Sequence, residues 1–404
     1  MNRRQIIAAL VLILLSAVRF ATAEDAKSSL TGEVRRVGGL RVLTLTGSAW
    51  ENGYAHGYLL ADEIMSLVND FILSLPAVEK IGGYAKVVEL VERDIKHEKP
   101  RCEELDGMLE GMRAKLGGAG LRIPRLDRPI TAADLWVLNS VGEWNRFFCS
   151  SFSAWGTMTA GGQNLTGRNL DYQGRRFAER MGTVFVRKQR DPSRKSWVGI
   201  GFAGEINCSS GINQDGVVIL LHDSGATGKP DLPAFARSFA LRECIETVSP
   251  AGNLAENVAG ILRRHNLYRG GNVHVTSPSS PAAVIEMDGN SKLGKGVTVR
   301  LAAAGQDWIA NTNHFRERSR MTKVCPRYAA LEKELGAMAG EGRRVRTMED
   351  AWKIIAKAAV GQTLSTMVFS PSERKMLVSV ATVEKPAQWN KPVLLDANEL
   401  LGIK

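Results

Sequence analysis

Cys149 stands in the run Asn145-Arg-Phe-Phe-Cys149-Ser-Ser-Phe-Ser, shortly before Gly167-Arg168-Asn169-Leu170-Asp171-Tyr172. A thiol, a guanidinium and a carboxylate within one short stretch are the parts of an acyl-transfer site. A thiolate attacks an acyl carbon well, but a cysteine is mostly protonated near neutral pH. It therefore needs a neighbouring base or cation. Histidine is the usual base. A second option exists if the chain is cut just before the cysteine: the freed α-amine, with an unperturbed pKa of about 7.7–8.0, then takes that role. A cation beside such a thiol favours the thiolate, and an anion beside a freed amine orients its ammonium. The tetrahedral intermediate also needs preorganised donors, for which asparagine side chains serve.

Further polar groups lie downstream. Asn311-Thr312-Asn313-His314-Phe315 and Arg327-Tyr328 offer an amide and a second guanidinium. A thiol hydrolase that keeps an intact chain would draw its base from His222, His274 or His314. His56 reads as a satisfied structural residue, and Gly53 and Gly57 as positions that let two helices approach closely. The five cysteines, Cys102, Cys149, Cys208, Cys244 and Cys325, show no CxxC spacing, which gives no support to a zinc or redox motif. Their odd number leaves at least one thiol unpaired, and the pairing of the others stays open. The glycine-rich turns lack GxGxxG or P-loop context, so no cofactor, nucleotide or metal is expected.

The order and spacing of these motifs resemble the acyl-CoA:6-aminopenicillanate (isopenicillin-N) acyltransferase family of autoproteolytic N-terminal-nucleophile (Ntn) cysteine hydrolases. Choloylglycine hydrolases and acid ceramidases are more distant relatives. Glu51-Asn-Gly53-Tyr-Ala-His56-Gly57 is similar to that family's prosegment motif, and Ser210-Gly211-Ile-Asn213-Gln-Asp-Gly216 also falls in order. The likeness runs from about Gly47 to Val380. It implies an α+β, four-layer αββα sandwich. It implies Cys149 as nucleophile, with Arg168 and Asp171 lining the site, Asn313 as side-chain oxyanion donor and Arg327 as a second site arginine. It also implies cleavage at Phe148–Cys149, with residues 24–148 a mostly helical prosegment that stays with the catalytic chain 149–404. The substrate would be a small amide, its acyl group passing to water or to an amine.

The sequence departs from the pattern in two places. Where choloylglycine hydrolases carry an asparagine, this strand ends Leu221-His222-Asp223, which leaves the second oxyanion donor open among His222, Asp223 and a backbone N–H. The bulky Phe148 stands where processed relatives commonly have a smaller residue. An exported binding protein of the same fold that had lost activity is the alternative from another class, and intact Cys149, Arg168, Asp171 and Asn313 argue against it.

The elements that must position these groups follow from periodicity. Val34 to Leu45 alternates as strands, and a helical block runs from Glu51 to about Lys115, punctuated by Gly82-Gly83 with Pro100 ending a helix. Thr131 can cap a helix that runs to Trp144. From Cys149 the texture turns to strands, beginning with a hairpin around Gly161-Gly162. Helices are expected over 234–247, 253–265, 328–338 and 348–357, with closing strands over 365–369 and 376–380. Strands grouped together with helices before, between and after them give layered sheets under helices.

At the N-terminus, Arg3 and Arg4 precede the apolar run Ile6–Val18, and Ala21-Thr22-Ala23 forms a small-x-small site. This is the pattern of a secretory signal peptide over 1–23, with a periplasmic or extracellular mature protein. The run is short of the ~20 residues that span a bilayer. Losing Arg3, Arg4 and Arg19 with it lowers the net charge from +11 to +8. The basic groups Arg187, Lys188, Arg190, Arg194, Lys195 and Arg343, Arg344, Arg346 read as solvated faces. No basic block is interleaved with aromatics, so nucleic acid is not an expected partner.

Overall fold

The computed structural model describes residues 30–290, 292–293, 296–319 and 325–403. The signal peptide expected over 1–23 lies outside them, as does the first part, 24–29, of the expected prosegment.

Two sheets form the centre. The strands in chain order are β1 (Gly32–Val37), β2 (Leu40–Leu45), β3 (Phe148–Gly156), β4 (Gly162–Asp171), β5 (Gly182–Arg187), β6 (Trp197–Phe202), β7 (Ser210–Asn213), β8 (Val218–Asp223), β9 (Gly271–Thr276), β10 (Ala283–Met287), β11 (Val297–Arg300), β12 (Trp308–Asn311), β13 (Thr363–Ser370), β14 (Lys375–Val380) and β15 (Val393–Asp396). One sheet has nine strands in the order β1-β2-β5-β6-β7-β8-β9-β10-β11, and the other has six in the order β12-β3-β4-β13-β14-β15. β2 and β5 pair in parallel, with Val42 opposite Val184. The other neighbours run antiparallel.

Side chains alternate across a strand, and that alternation builds the layers. Val184, Val198, Ile212 and Val218 of the larger sheet meet Met367, Phe369 and Val378 of the smaller one. On the far side of the smaller sheet, Phe152, Ala154 and Leu165 bury against Leu331, Leu335, Ile354 and Ile355. On the far side of the larger sheet, Phe185, Ile219 and Val273 bury against helical residues such as Leu105, Met108, Leu135 and Phe239. The result is the α+β, αββα sandwich.

The main helices are α1 (Ala49–Leu59), α2 (Tyr84–Asp94), α3 (Lys99–Gly120), α4 (Ala132–Asn139), α5 (Arg237–Thr247), α6 (Leu254–Arg263), α7 (Pro326–Gly340) and α8 (Met348–Ala356). Ser48 and Glu51 close a capping box on α1. α1 crosses α3 at glycines on both sides. A Cβ on Gly57 would lie 2.0 Å from the Met108 carbonyl oxygen, and one on Gly111 would lie 2.0 Å from that of Tyr54.

Several expectations need correction. Pro100 opens α3 rather than ending a helix, because proline is tolerated in a first turn. The helix from Thr131 stops at Asn139, and Val141–Trp144 forms a separate turn. The described residues before Cys149 pack into the body of the fold. Leu43 and Leu45 of β2, and Leu105 and Met108 of α3, share one core with Phe185 and Val273. The basic cluster around 187 is not a uniform solvated face: Arg187 is buried at 2% exposure and pairs with Glu104 at 2.5 Å.

Candidate active site

Cys149 sits near the start of β3 and is 2% exposed. The pleat sends Cys149, Ser151 and Ser153 toward the larger sheet, opposite to Phe152 and Ala154. Ser151 and Ser153 meet the two ring nitrogens of His274 there, each at 2.8 Å. β4 pairs with β3 so that Leu170 lies opposite Cys149 and Arg168 opposite Ser151. Arg168, 1% exposed, therefore reaches into the same space. Its Nη2 lies 3.5 Å from Cys149 Sγ and donates to the Leu221 carbonyl at 2.7 Å, while Nη1 donates to Ser210 Oγ. Burial pushes the thiol up to about 11; Arg168 opposes this, and Asp223 and Asp171 reinforce it. In the uncut chain Cys149 is thus a protonated thiol beside a cation.

The backbone of Cys149 is gripped on both sides. Its N–H donates to Asn313 Oδ1 at 2.7 Å. Its carbonyl accepts from Arg327 Nη1 at 2.6 Å. Arg327 Nη2 also donates to Asn313 Oδ1 at 2.9 Å, and Nη1 to Asp171 Oδ2 at 3.0 Å. Thr363 at the head of β13 donates to Asp171 Oδ1 at 2.6 Å. Burial pushes the Asp171 carboxyl up, against the downward pull of Thr363 and Arg327. All five residues singled out in the sequence thus meet around Cys149, Asp171 by way of Arg327.

In the intact chain Asp171 and Asn313 have these partners. Asp171 holds Arg327 and Thr363, while the Cys149 nitrogen is held by Asn313. The Asn313 amide group donates to the Asp223 carbonyl at 2.8 Å and to Phe147 O at 3.3 Å, so in the intact chain Asn313 places the Cys149 nitrogen. Phe148 is 49% exposed, with the Arg327 guanidinium 5.6 Å from its ring centre. Its bulk therefore lies toward solvent.

Among the described residues no imidazole is hydrogen-bonded to Cys149 Sγ. His222 points between the sheets, and burial, with Arg168 adding to it, pushes it well below the ordinary imidazole value. His274 is pushed down to about 3 by burial. His56 Nε2 accepts the Gly204 N–H at 2.9 Å, the structural role read from the sequence. Asp223 is an acceptor here: Oδ2 takes the Phe147 N–H at 2.7 Å, and Oδ1 pairs with Arg237 at 2.8 Å. The five cysteines are all unpaired.

Cys149 and Arg168 open onto a cavity of about 60 Å³, room for a few water molecules. Val141, Phe147, Leu170, Phe202 and Leu221 supply its apolar wall, and Glu143, Glu205 and Asp223 its acids. Thr363, Arg237 and Glu205 had drawn no notice in the sequence. Each lies far along the chain from Cys149, and none sits in a local motif.

A family profile described as acyl-coenzyme A:6-aminopenicillanic acid acyl-transferase matches residues 157–385, more than half of the chain. The chain belongs to that family. As a member of the acyltransferase family it is an amide-bond hydrolase or acyltransferase of the Ntn type. No curated protein matches its sequence. Among solved structures it is similar to an N-acylethanolamine-hydrolyzing acid amidase ortholog from Caenorhabditis elegans, at 17% identity and a TM-score of 0.42, covering 55% of this chain and 93% of that one. It is also similar to penicillin V acylase from Agrobacterium tumefaciens, at 12% identity and a TM-score of 0.41, covering 58% and 83%. A variant of conjugated bile acid hydrolase from Clostridium perfringens aligns at 13% identity and a TM-score of 0.41, covering 63% and 95%.

Proposed function

We propose that this acyltransferase-family protein is an exported cysteine amidohydrolase that activates itself by cutting Phe148–Cys149. The observation that carries this reading is the double grip on Cys149. Asn313 holds its N–H and Arg327 its carbonyl, with Arg168 at 3.5 Å from its sulfur. A thiol pushed up to about 11 needs a base, and no imidazole is bonded to it. The base that the chain can supply at that point is its own nitrogen, once that nitrogen is an amine rather than an amide.

Processing would run in two steps. The Cys149 sulfur adds to the Phe148 carbonyl carbon, the C–N bond breaks, and the acyl group moves to sulfur as the nitrogen takes the proton. Water then hydrolyses the thioester, leaving a Phe148 carboxylate, a free thiol and a free α-amine. Catalysis repeats this chemistry on a substrate amide. The α-amine takes the thiol proton, sulfur attacks, and the leaving amine departs with that proton. The acyl-enzyme on Cys149 passes its acyl group to water or to an amine. Asn313 Oδ1, already 2.7 Å from the nitrogen, would hold the amine, and Arg168 would favour the thiolate. Asp171 would fix Arg327 and balance the charge of the nearby ammonium.

Export rests on the signal-like pattern over 1–23. Intact mass under denaturing conditions tests the rest. Wild-type protein should give two chains, 24–148 and 149–404, that run together in native conditions. Cys149→Ala should stay one chain and cleave no amide. Amide hydrolysis by a wild-type protein that remains uncut would overturn the self-activation.

A further inference from the structure

Glu205 is an acid on the wall of the Cys149 cavity that the chemistry above does not use. It ends the turn Phe202-Ala203-Gly204-Glu205 after β6, and its Oε2 accepts the Phe202 N–H at 3.0 Å. The turn is braced from the prosegment side. His56 Nε2 takes the Gly204 N–H at 2.9 Å, and Asn139 Nδ2 donates to the Gly204 carbonyl at 2.9 Å. Gly201 makes room for the carboxyl, since a Cβ there would lie 2.2 Å from Oε2.

The charges around the cavity do not balance. Glu143 and Asp223 share Arg237, at 3.0 and 2.8 Å. Arg168 is committed to the thiol, Ser210 and the Leu221 carbonyl. Among the described residues no arginine, lysine or histidine pairs with Glu205. A partly buried carboxylate without a counter-charge is costly, and desolvation accordingly pushes this carboxyl up to about 7. A fixed acid beside apolar walls, held on a braced turn, is an arrangement that a ligand cation completes.

We propose that Glu205 determines specificity: the substrate group that fills this cavity is a short apolar chain ending in a protonated amine, which Glu205 receives. This rests on the reading of Cys149 as the nucleophile. The arriving ammonium would hold the carboxyl ionised, so the pair forms as the ligand binds.

The test reads cavity occupancy without turnover. Iodoacetamide labelling of Cys149 is followed by mass spectrometry in the presence of butylamine or of its uncharged counterpart, butanol. In the wild type, butylamine should protect Cys149 at a concentration about tenfold lower than butanol, a difference typical of one charge-assisted contact. In Glu205→Gln, which keeps an acceptor for the Phe202 N–H, the two should protect alike. A parallel arm compares cleavage of 6-aminohexanoyl and hexanoyl p-nitroanilides, where the amino member should be preferred by the wild type only. Equal protection by both compounds in the wild type overturns the role of Glu205 and leaves the nucleophile in place. Labelling that does not fall on Cys149 overturns the nucleophile and this proposal with it. If Glu205→Gln does not fold, Glu205→Asp, with its shorter reach, should weaken butylamine protection while leaving butanol unchanged; no change sinks the proposal.

Discussion

Arg327 Nη1 donates to the carbonyl oxygen of Cys149 at 2.6 Å, from the first turn of a helix that begins 177 residues later in the chain. The same nitrogen holds Asp171, and its neighbour holds Asn313. One guanidinium thus fixes the Cys149 carbonyl, the acceptor of the Cys149 N–H and the Asp171 carboxylate. Arg327→Met removes all of these contacts. Misplacing a reacting group by an ångström costs on the order of 10²-fold, so two-chain formation should slow by about that factor, read as a time course on denaturing gels.

Asp171→Asn keeps the shape of the side chain and removes its charge. Arg327 loses its carboxylate partner, and a Cys149 ammonium would lose the nearby charge that balances it. The expected result is a folded protein whose kcat/KM on a working amide falls by about 10²-fold or more. An unchanged kcat/KM would remove Asp171 from the site.

Glu104 is fully buried between Arg187 at 2.5 Å and Arg242 at 2.6 Å. Glu104→Gln leaves two buried guanidiniums facing a neutral amide. Breaking a buried pair in this way costs about 3–5 kcal/mol. Denaturant unfolding should show that loss, with the active-site geometry untouched in whatever fraction stays folded.

Gly57→Ala brings a Cβ to 2.0 Å from the Met108 carbonyl oxygen. That contact is with backbone, so α1 and α3 must move apart. Overpacking of this kind costs about 1–3 kcal/mol, seen as a lower Tm. Gly83→Ala, where nothing lies within 4 Å but φ is 102°, isolates backbone strain from close packing.

Glu205 gives a pH signature. Its folded-state value is raised to about 7 from 4.5. The folded protein therefore holds a proton that the unfolded chain has released. The stability this contributes is full below about 4.5 and is lost as pH rises to about 7, at up to about 1.4 kcal/mol per pH unit. Glu205→Gln should abolish that slope between pH 4.5 and 7. The comparison belongs in a Cys149→Ala background, where both proteins remain one chain. Parallel stability profiles for the two would contradict it.

Much of the candidate site was legible because its residues sit in local motifs. Cys149, Arg168 and Asp171 lie on one hairpin, whose pairing follows from alternation and the Gly-Gly turn. Asn313 and Arg327 came with short motifs in the right order. Gly53 and Gly57 showed their purpose through helical spacing, although their partners Gly107 and Gly111 did not. What stayed hidden depends on long-range placement. Arg187 reads as surface charge until Glu104 is brought beside it by α3. Glu205 is one acid among many until the turn after β6 puts it on the cavity wall. β7 and β12 are only four residues long, too short for a period to stand out. Pro100 was misread because the same residue that breaks a helix interior also opens a first turn.

The parallel pairing of β2 with β5 has a kinetic consequence. Those strands lie on opposite sides of the Phe148–Cys149 bond, and Glu104 reaches across the same divide to Arg187 and Arg242. Before a cut, the chain folds as a first-order process, with its two parts tethered at high effective concentration. After a cut, the same native state is a heterodimer whose stability depends on protein concentration. Denatured mature protein should then regain structure by a second-order reaction that slows on dilution, whereas the Cys149→Ala chain should refold at a rate independent of it. Self-cleavage would change the molecularity of folding while leaving the folded shape in place.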